Sequence, residues 1–157
     1  MTLTTHALVG AALGTMTGNS LGAFMLGFAS HFFVDAIPHG HYPFISFLRS
    51  RDPQRPYSRR ALVVIAFDFL LALLFPMLLF SSTTPPFVVL LAAVGSILPD
   101  LLFGFDIYFP SRLTRSFVRL HEGAHFFFFP QSSWQFPMPL ILATEFGVIF
   151  LSLTFLL

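Results

Sequence analysis

The sequence predicts an all-α fold: a polytopic membrane helical bundle of about five to six helical segments, forming one domain over residues 1–157. Composition is the first reason. Hydrophobic residues make up 55% of the chain, charged residues 10%, and 23 positions are Phe, a balance outside that of soluble domains. The second is patterning, because apolar runs of helix length alternate with short turns, and no Gly/Ser linker, acidic tail or low-complexity block divides them. The third is charge. All eight basic residues are Arg, grouped at 49–60 and 112–119. The positive-inside rule assigns both groups to the cytoplasmic side of a cell inner membrane. A nucleic-acid surface does not fit so apolar a chain.

The elements follow in order. Residues 3–37 are almost continuously apolar, yet one helix of that span would be roughly 52 Å long against a ~30 Å hydrocarbon core. Gly18-Asn19-Ser20 is the natural corner, predicting helices over 5–17 and 21–37. Gly10, Gly14, Gly18 and Gly22 recur every fourth residue and predict a groove for a neighbouring helix. The start lacks the basic region of a signal peptide, so the first helix is expected to be retained. Residues 43–56, rich in Pro and Arg, predict a cytoplasmic loop. Ala61 to Phe80 is long enough to span and holds Asp68 and Pro76. A central Asp costs roughly 3 kcal/mol on the insertion scale, so Asp68 needs a partner inside the bundle. Residues 81–86 turn, and Phe87 to Phe105 returns with Pro99-Asp100 near its end. Arg112, Arg115 and Arg119 at helical spacing, with Leu113, Phe117 and Leu120 beside them, predict an interfacial helix over 111–120. Trp134 marks a boundary loop, and 138–157 forms a last apolar helix carrying Glu145.

Chemistry concentrates in two stretches. His31 and Asp35 lie four residues apart and share a helix face, with His39 within reach beyond Pro38. Imidazole and carboxylate at this spacing can replace the water shell of a divalent ion; the alternative is that they only cap a helix end. His121-Glu122-Gly123-Ala124-His125 matches H-E-x-x-H, in which two His at i and i+4 bind zinc and the Glu activates a water. The alternative there is that the His pair alone matters. With no cysteine, disulfides and thiolate sites are excluded, so any metal is held by His and carboxylate. The predicted topology brings His6, Asp35, His39, Asp100, His121 and His125 to the inner leaflet together.

Thr5-His6-Ala7-Leu8-Val9-Gly10, Ile97-Leu98-Pro99-Asp100 and His121-Glu122-Gly123-Ala124-His125 resemble three motifs of the membrane-bound metal-dependent hydrolase family, typified by LexA-regulated inner-membrane hydrolases. Those motifs are an early His before a small-residue helix, Leu-Pro-Asp-x-Asp-His, and His-Arg-Gly-x-Thr-His-Ser. The resemblance implies His6, Asp100, His121 and His125 as metal-site candidates. Leu102 and Phe103 stand where the family has Asp and His, Glu122 replaces Arg, and Phe126 replaces Ser. Two family ligands are therefore absent, and His31, Asp35 and His39 are the available substitutes. The spacing of His31 and Asp35 is also similar, more weakly, to the His-x-x-x-Asp helix of zinc-dependent phospholipase C.

The functional expectation is a membrane-embedded hydrolase with one or two divalent ions, zinc first among them, drawn from the pool His6, His31, Asp35, His39, Asp100, His121 and His125. Glu122 or Asp68 takes the proton from a metal-activated water. Arg112 and Arg115 hold the phosphate of a lipid or lipid-linked phosphoester. One rival is an intramembrane zinc protease built on His121, Glu122 and His125. The other is a non-catalytic protein, either an ion or proton carrier using Asp68 and Glu145 or a metal-stabilised scaffold. Oligomeric state is left open.

Overall fold

The computed structural model describes residues 1–37, 39, 57–80, 84–126 and 138–154, without the side chains of residues 125, 126 and 138. Among these it is all-helical, with α1 Leu3–Gly14, α2 Ser20–Asp35, α3 Arg59–Phe80, α4 Pro86–Tyr108, α5 Arg112–Phe126 and α6 Met138–Thr154. The expected loop over 43–56, residues 81–83 of the turn after Phe80 and the Trp134 anchor lie outside the described residues.

Local chemistry sets the helix ends. The Thr2 hydroxyl accepts from Thr5 N (3.2 Å) to start α1. The chain then turns through Gly18, whose φ of 67° only glycine adopts without strain, and restarts where Asn19 Oδ1 accepts from Gly22 N (2.7 Å). Pro86 opens α4, where its missing N–H costs nothing. At α5 the Ser111 and Thr114 hydroxyls each accept from the other's backbone N–H, at 3.1 and 2.9 Å. Thr114 Oγ1 also donates to Asp106 on α4, which fixes how α5 leaves that helix.

Helices α3 and α4, of 22 and 23 residues, are long and apolar enough to cross a membrane. Helices α1, α2 and α6 are apolar but shorter, at 12, 16 and 17 residues. On α3 the burial pattern is one-sided: Asp68, Ala72 and Pro76 face inward, while Val63, Phe67, Leu70, Leu74 and Leu78 are exposed. Helix α4 is the common support, touching α1, α2, α3 and α5.

Close approach to α4 rests on small residues, which let helix backbones come near one another. A Cβ at Gly27 of α2 would overlap the Ala92 carbonyl, and one at Gly95 of α4 would overlap the Phe24 carbonyl. Gly10 and Gly14 give α1 the same access, against Ser96 and Ala92. The four-glycine groove is therefore only half used for helix contact. Gly18 serves the turn, and Gly22 meets its own cap at Asn19. Leu3 and Ala7 of α1 pack on Ala72 of α3 and Ala93 and Ile97 of α4. A second cluster joins Leu8, Ala11, Phe80 and Val89.

The α2–α4 contact gives a direct test. Gly27→Ala should destabilise the folded chain by about 1–3 kcal/mol, because backbone must move to admit the methyl. Gly104→Ala, where a Cβ meets nothing within 4 Å, should not destabilise it. Thermal unfolding of both variants in detergent checks the contrast.

Candidate metal centre

Two acidic side chains from different helices hold the beginning of α1. The Asp68 carboxylate on α3 accepts from Leu3 N (2.7 Å), Thr4 N (3.2 Å) and Thr4 Oγ1 (2.6 Å). Glu145 on α6 accepts from Thr2 N (3.1 Å) and Thr5 Oγ1 (2.5 Å). The first N–H groups of a helix have no intrahelical acceptor and carry partial positive charge, so carboxylates satisfy them on both counts. The partner that Asp68 needs is thus the α1 N-terminus. Both of its oxygens are engaged there, so it acts as a positioning group rather than as the proton acceptor expected from sequence. Glu145 is engaged at the same helix start.

This anchoring sets His6 one turn inside the bundle, fully buried. Opposite it, α2 places His31 and Asp35 on one face, and the chain beyond α2 brings His39 back to the same carboxylate. Helix α4 contributes Asp100 and α5 contributes His121. Phe117 of α5 seats against Phe28 and Phe32 of α2, and Phe103 lies over the His121 ring with centroids 5.4 Å apart. Four elements thereby converge on Asp35, which is 1% exposed.

The convergence is tight. His31 Nε2 lies 2.9 Å from Asp35 Oδ2, and His121 Nε2 lies 3.3 Å from Asp35 Oδ2 and 3.3 Å from Asp100 Oδ1. The two Nε2 atoms are 3.0 Å apart, and His31 Nε2 is 3.8 Å from Asp100 Oδ1. On the other side of Asp35, Oδ1 is 3.1 Å from His6 Nε2, 3.4 Å from His39 Nε2 and 3.8 Å from the Met1 amino nitrogen. Asp100 Oδ2 is 3.9 Å from His6 Nε2.

Backbone carbonyls decide the histidine tautomers. His31 Nδ1 donates to Ser96 O at 2.8 Å, and His39 Nδ1 donates to Ile37 O at 2.6 Å, since a carbonyl can only accept. In each neutral ring the lone pair is then on Nε2, the atom turned toward Asp35. Lone pairs facing carboxylate oxygens repel unless a proton or a cation lies among them. For His121, burial alone would lower the pKa, but the Asp100 and Asp35 carboxylates outweigh it and raise the value to about 9. The cluster demands positive charge.

A metal ion can meet that demand. Donor atoms of His31, Asp35, Asp100 and His121 all lie within 4.8 Å of one another, a buried set that can hold a metal ion. Two ligands bound at 2.0–2.2 Å to one tetrahedral ion are separated by roughly 3.3–3.6 Å, and the observed separations of 2.9 to 3.8 Å bracket that spacing. The hydrogen bond from His31 Nδ1 to Ser96 O is also the outer contact that commonly orients a ligating imidazole.

Other candidates fall elsewhere. Glu122 is exposed beside buried His121, about 100° round the helix from it, so its carboxylate is not directed at the cluster. Arg112 and Arg115 are exposed, and helical geometry turns them roughly 180° and 120° from His121. Neither is on the helix face that carries His121 to the cluster. His125 continues α5, but its side chain lies outside the described residues. Sequence reasoning missed Ser96. Its hydroxyl donates to the His6 carbonyl (2.6 Å) while its own carbonyl takes His31 Nδ1, so one residue of α4 sets the positions of two imidazoles. The available signal was a lone hydroxyl one turn before Asp100 in an apolar helix.

No family model, curated protein or solved structure matches the chain.

Removing Asp68 should be costly without touching the cluster's own donors. Asp68→Ala leaves Leu3 N and Thr4 N without acceptors and should cost about 2–4 kcal/mol. Glu122→Gln, exposed on α5, should stay within about 0.5 kcal/mol of the parent. Chemical unfolding in detergent distinguishes the two.

Proposed function

We propose that the chain is a multi-pass membrane hydrolase, in the inner membrane, dependent on a divalent metal and acting on a lipid or lipid-linked phosphoester at headgroup depth. The single observation that carries this reading is the buried donor set of His31, Asp35, Asp100 and His121. Two imidazoles with two carboxylates and no thiolate suit zinc or another first-row divalent ion. A divalent ion bound there supplies a water of lowered pKa and a positive charge for the oxygen that is attacked.

The chain's own residues do the rest. Asp100 has 26% of its side chain exposed while Asp35 has 1%, so a substrate approaches over the Asp100 carboxylate. Asp35 stays behind it, shielded from bulk water. Ser96 and the α1 clamp hold the imidazoles in place and exclude rearrangement. Helix α5 supports the assignment of depth, because it carries exposed Arg112, Arg115 and Arg119 beside exposed Leu113 and Leu120 while delivering His121 to the cluster. Such a helix lies in the interface with its arginines toward anionic headgroups. The flanking α3 and α4, with their exposed apolar faces, supply the membrane-crossing length.

The exposed position of Glu122 weighs against the protease reading, in which that carboxylate must activate the water.

The test is metal content and turnover together. Chain purified in detergent should retain a transition metal, and a chelator should lower its melting temperature and stop release of phosphate from lipid phosphoesters. Asp100→Ala and His121→Ala should each reduce turnover by at least about 100-fold with loss of metal. Glu122→Gln should keep both within a few-fold. Metal-free protein indifferent to chelators would overturn the reading, and loss of all turnover in Glu122→Gln with metal retained would favour a protease.

A further inference from the structure

The two oxygens of Asp35 face different imidazoles. Oδ2 is met by His31 and His121, at 2.9 and 3.3 Å, whereas Oδ1 is met by His6 and His39, at 3.1 and 3.4 Å. Asp100 divides in the same sense, with Oδ1 on the side of His31 and His121 and Oδ2 toward His6 at 3.9 Å. A single ion among His31, Asp35, Asp100 and His121 leaves the His6 side unexplained. There a fully buried imidazole has neither ring nitrogen in an acceptable hydrogen bond, although Nε2 sits 3.1 Å from a carboxylate oxygen. Close approach without hydrogen-bond alignment is the arrangement expected of two ligands that share an ion instead of a proton.

The rings of His6 and His31 supply an independent measure. They are stacked, with centroids 4.1 Å apart and planes inclined by 25°. Each directs Nε2 at a different oxygen of the same carboxylate. Ligated ions lie in the ring plane beyond Nε2, so near-parallel rings place their ions about as far apart as the rings themselves. Two-metal hydrolytic sites hold their ions about 3.5–4 Å apart, and the ring spacing matches.

We infer that the cluster is a dinuclear centre: a second divalent cation binds His6 Nε2 and His39 Nε2, and Asp35 bridges it to the ion held by His31 and His121. Asp100 is the second carboxylate shared between the two. The tautomer of His39 is already set for this role by its Nδ1 bond to Ile37 O. The inference rests on the proposed metal dependence and specifies its stoichiometry and ligand division.

The experiment loads the full chain in detergent with Mn²⁺ or Zn²⁺, removes free metal and counts bound ions per chain, with electron paramagnetic resonance on the Mn²⁺ form. The unaltered chain should hold two ions and show an exchange-coupled pair signal. His39→Ala, which lies beyond the end of α2, should hold one ion and show the spectrum of an isolated Mn²⁺. His6→Gln should do the same, and Asp35→Ala should hold none. Elution volume and helical circular dichroism identify a variant that has unfolded, and His39→Ala then decides. One ion in the unaltered chain, uncoupled and unaffected by His39→Ala, would overturn the second subsite and leave the first standing. No retained ion at all would overturn both. Loss of both ions in folded His39→Ala would contradict the division of ligands.

Discussion

A carboxylate with almost no contact with water must be neutralised by whatever the fold brings against it, and Asp35 is that group. Four histidines, from α1, α2, the chain beyond α2, and α5, turn ring nitrogens toward it within 2.9 to 3.4 Å. Gathering four, and fixing two of their tautomers through backbone carbonyls so that Nε2 lone pairs point at the anion, makes sense if a cation completes the set. The rest of the architecture follows from delivering those side chains to one place.

Delivery depends on α4. Its Gly95 and Ala92 let α2 approach at backbone distance, and its Ser96 ties down the His6 carbonyl and the His31 ring together. Pro99 lies in the same turn, next to Asp100. On the far side of α1, Asp68 and Glu145 hold the first turn so that His6 cannot slide along the bundle. Buried Asp68 and half-buried Glu145 are each stabilised by several hydrogen bonds from the positive end of a helix. Most buried polar groups among the described residues therefore belong to a clamp or a cluster, joined by one turn of α1.

Much of this was legible before any coordinates. Apolar runs punctuated by Gly18-Asn19-Ser20 and Pro85-Pro86 give helix boundaries within a few residues of those observed, since breakers and caps act locally. The spacing of His31 and Asp35 is likewise a local fact, and the meeting of His6, Asp35, Asp100 and His121 follows from helix ends that share a depth. Long-range choices were not legible. Nothing local to Asp68 says that its partners are the N–H groups of residues 3 and 4, and Gly27 and Gly95 become contact sites only once α2 and α4 are in register. The roles first given to Glu122, Arg112 and Arg115 show a different gap. Helical geometry alone turns all three away from His121, but motif spacing along the chain hides angular position.

The central claim is that a cation, not a proton network, balances Asp35. Diffraction from crystals of the full chain grown with zinc, recorded on both sides of the zinc absorption edge, tests it most directly. The account predicts anomalous density within about 2.0–2.2 Å of His31 Nε2, His121 Nε2 and a carboxylate oxygen of Asp35. Ordinary water or empty density among those atoms, with zinc present in the crystal, would contradict it.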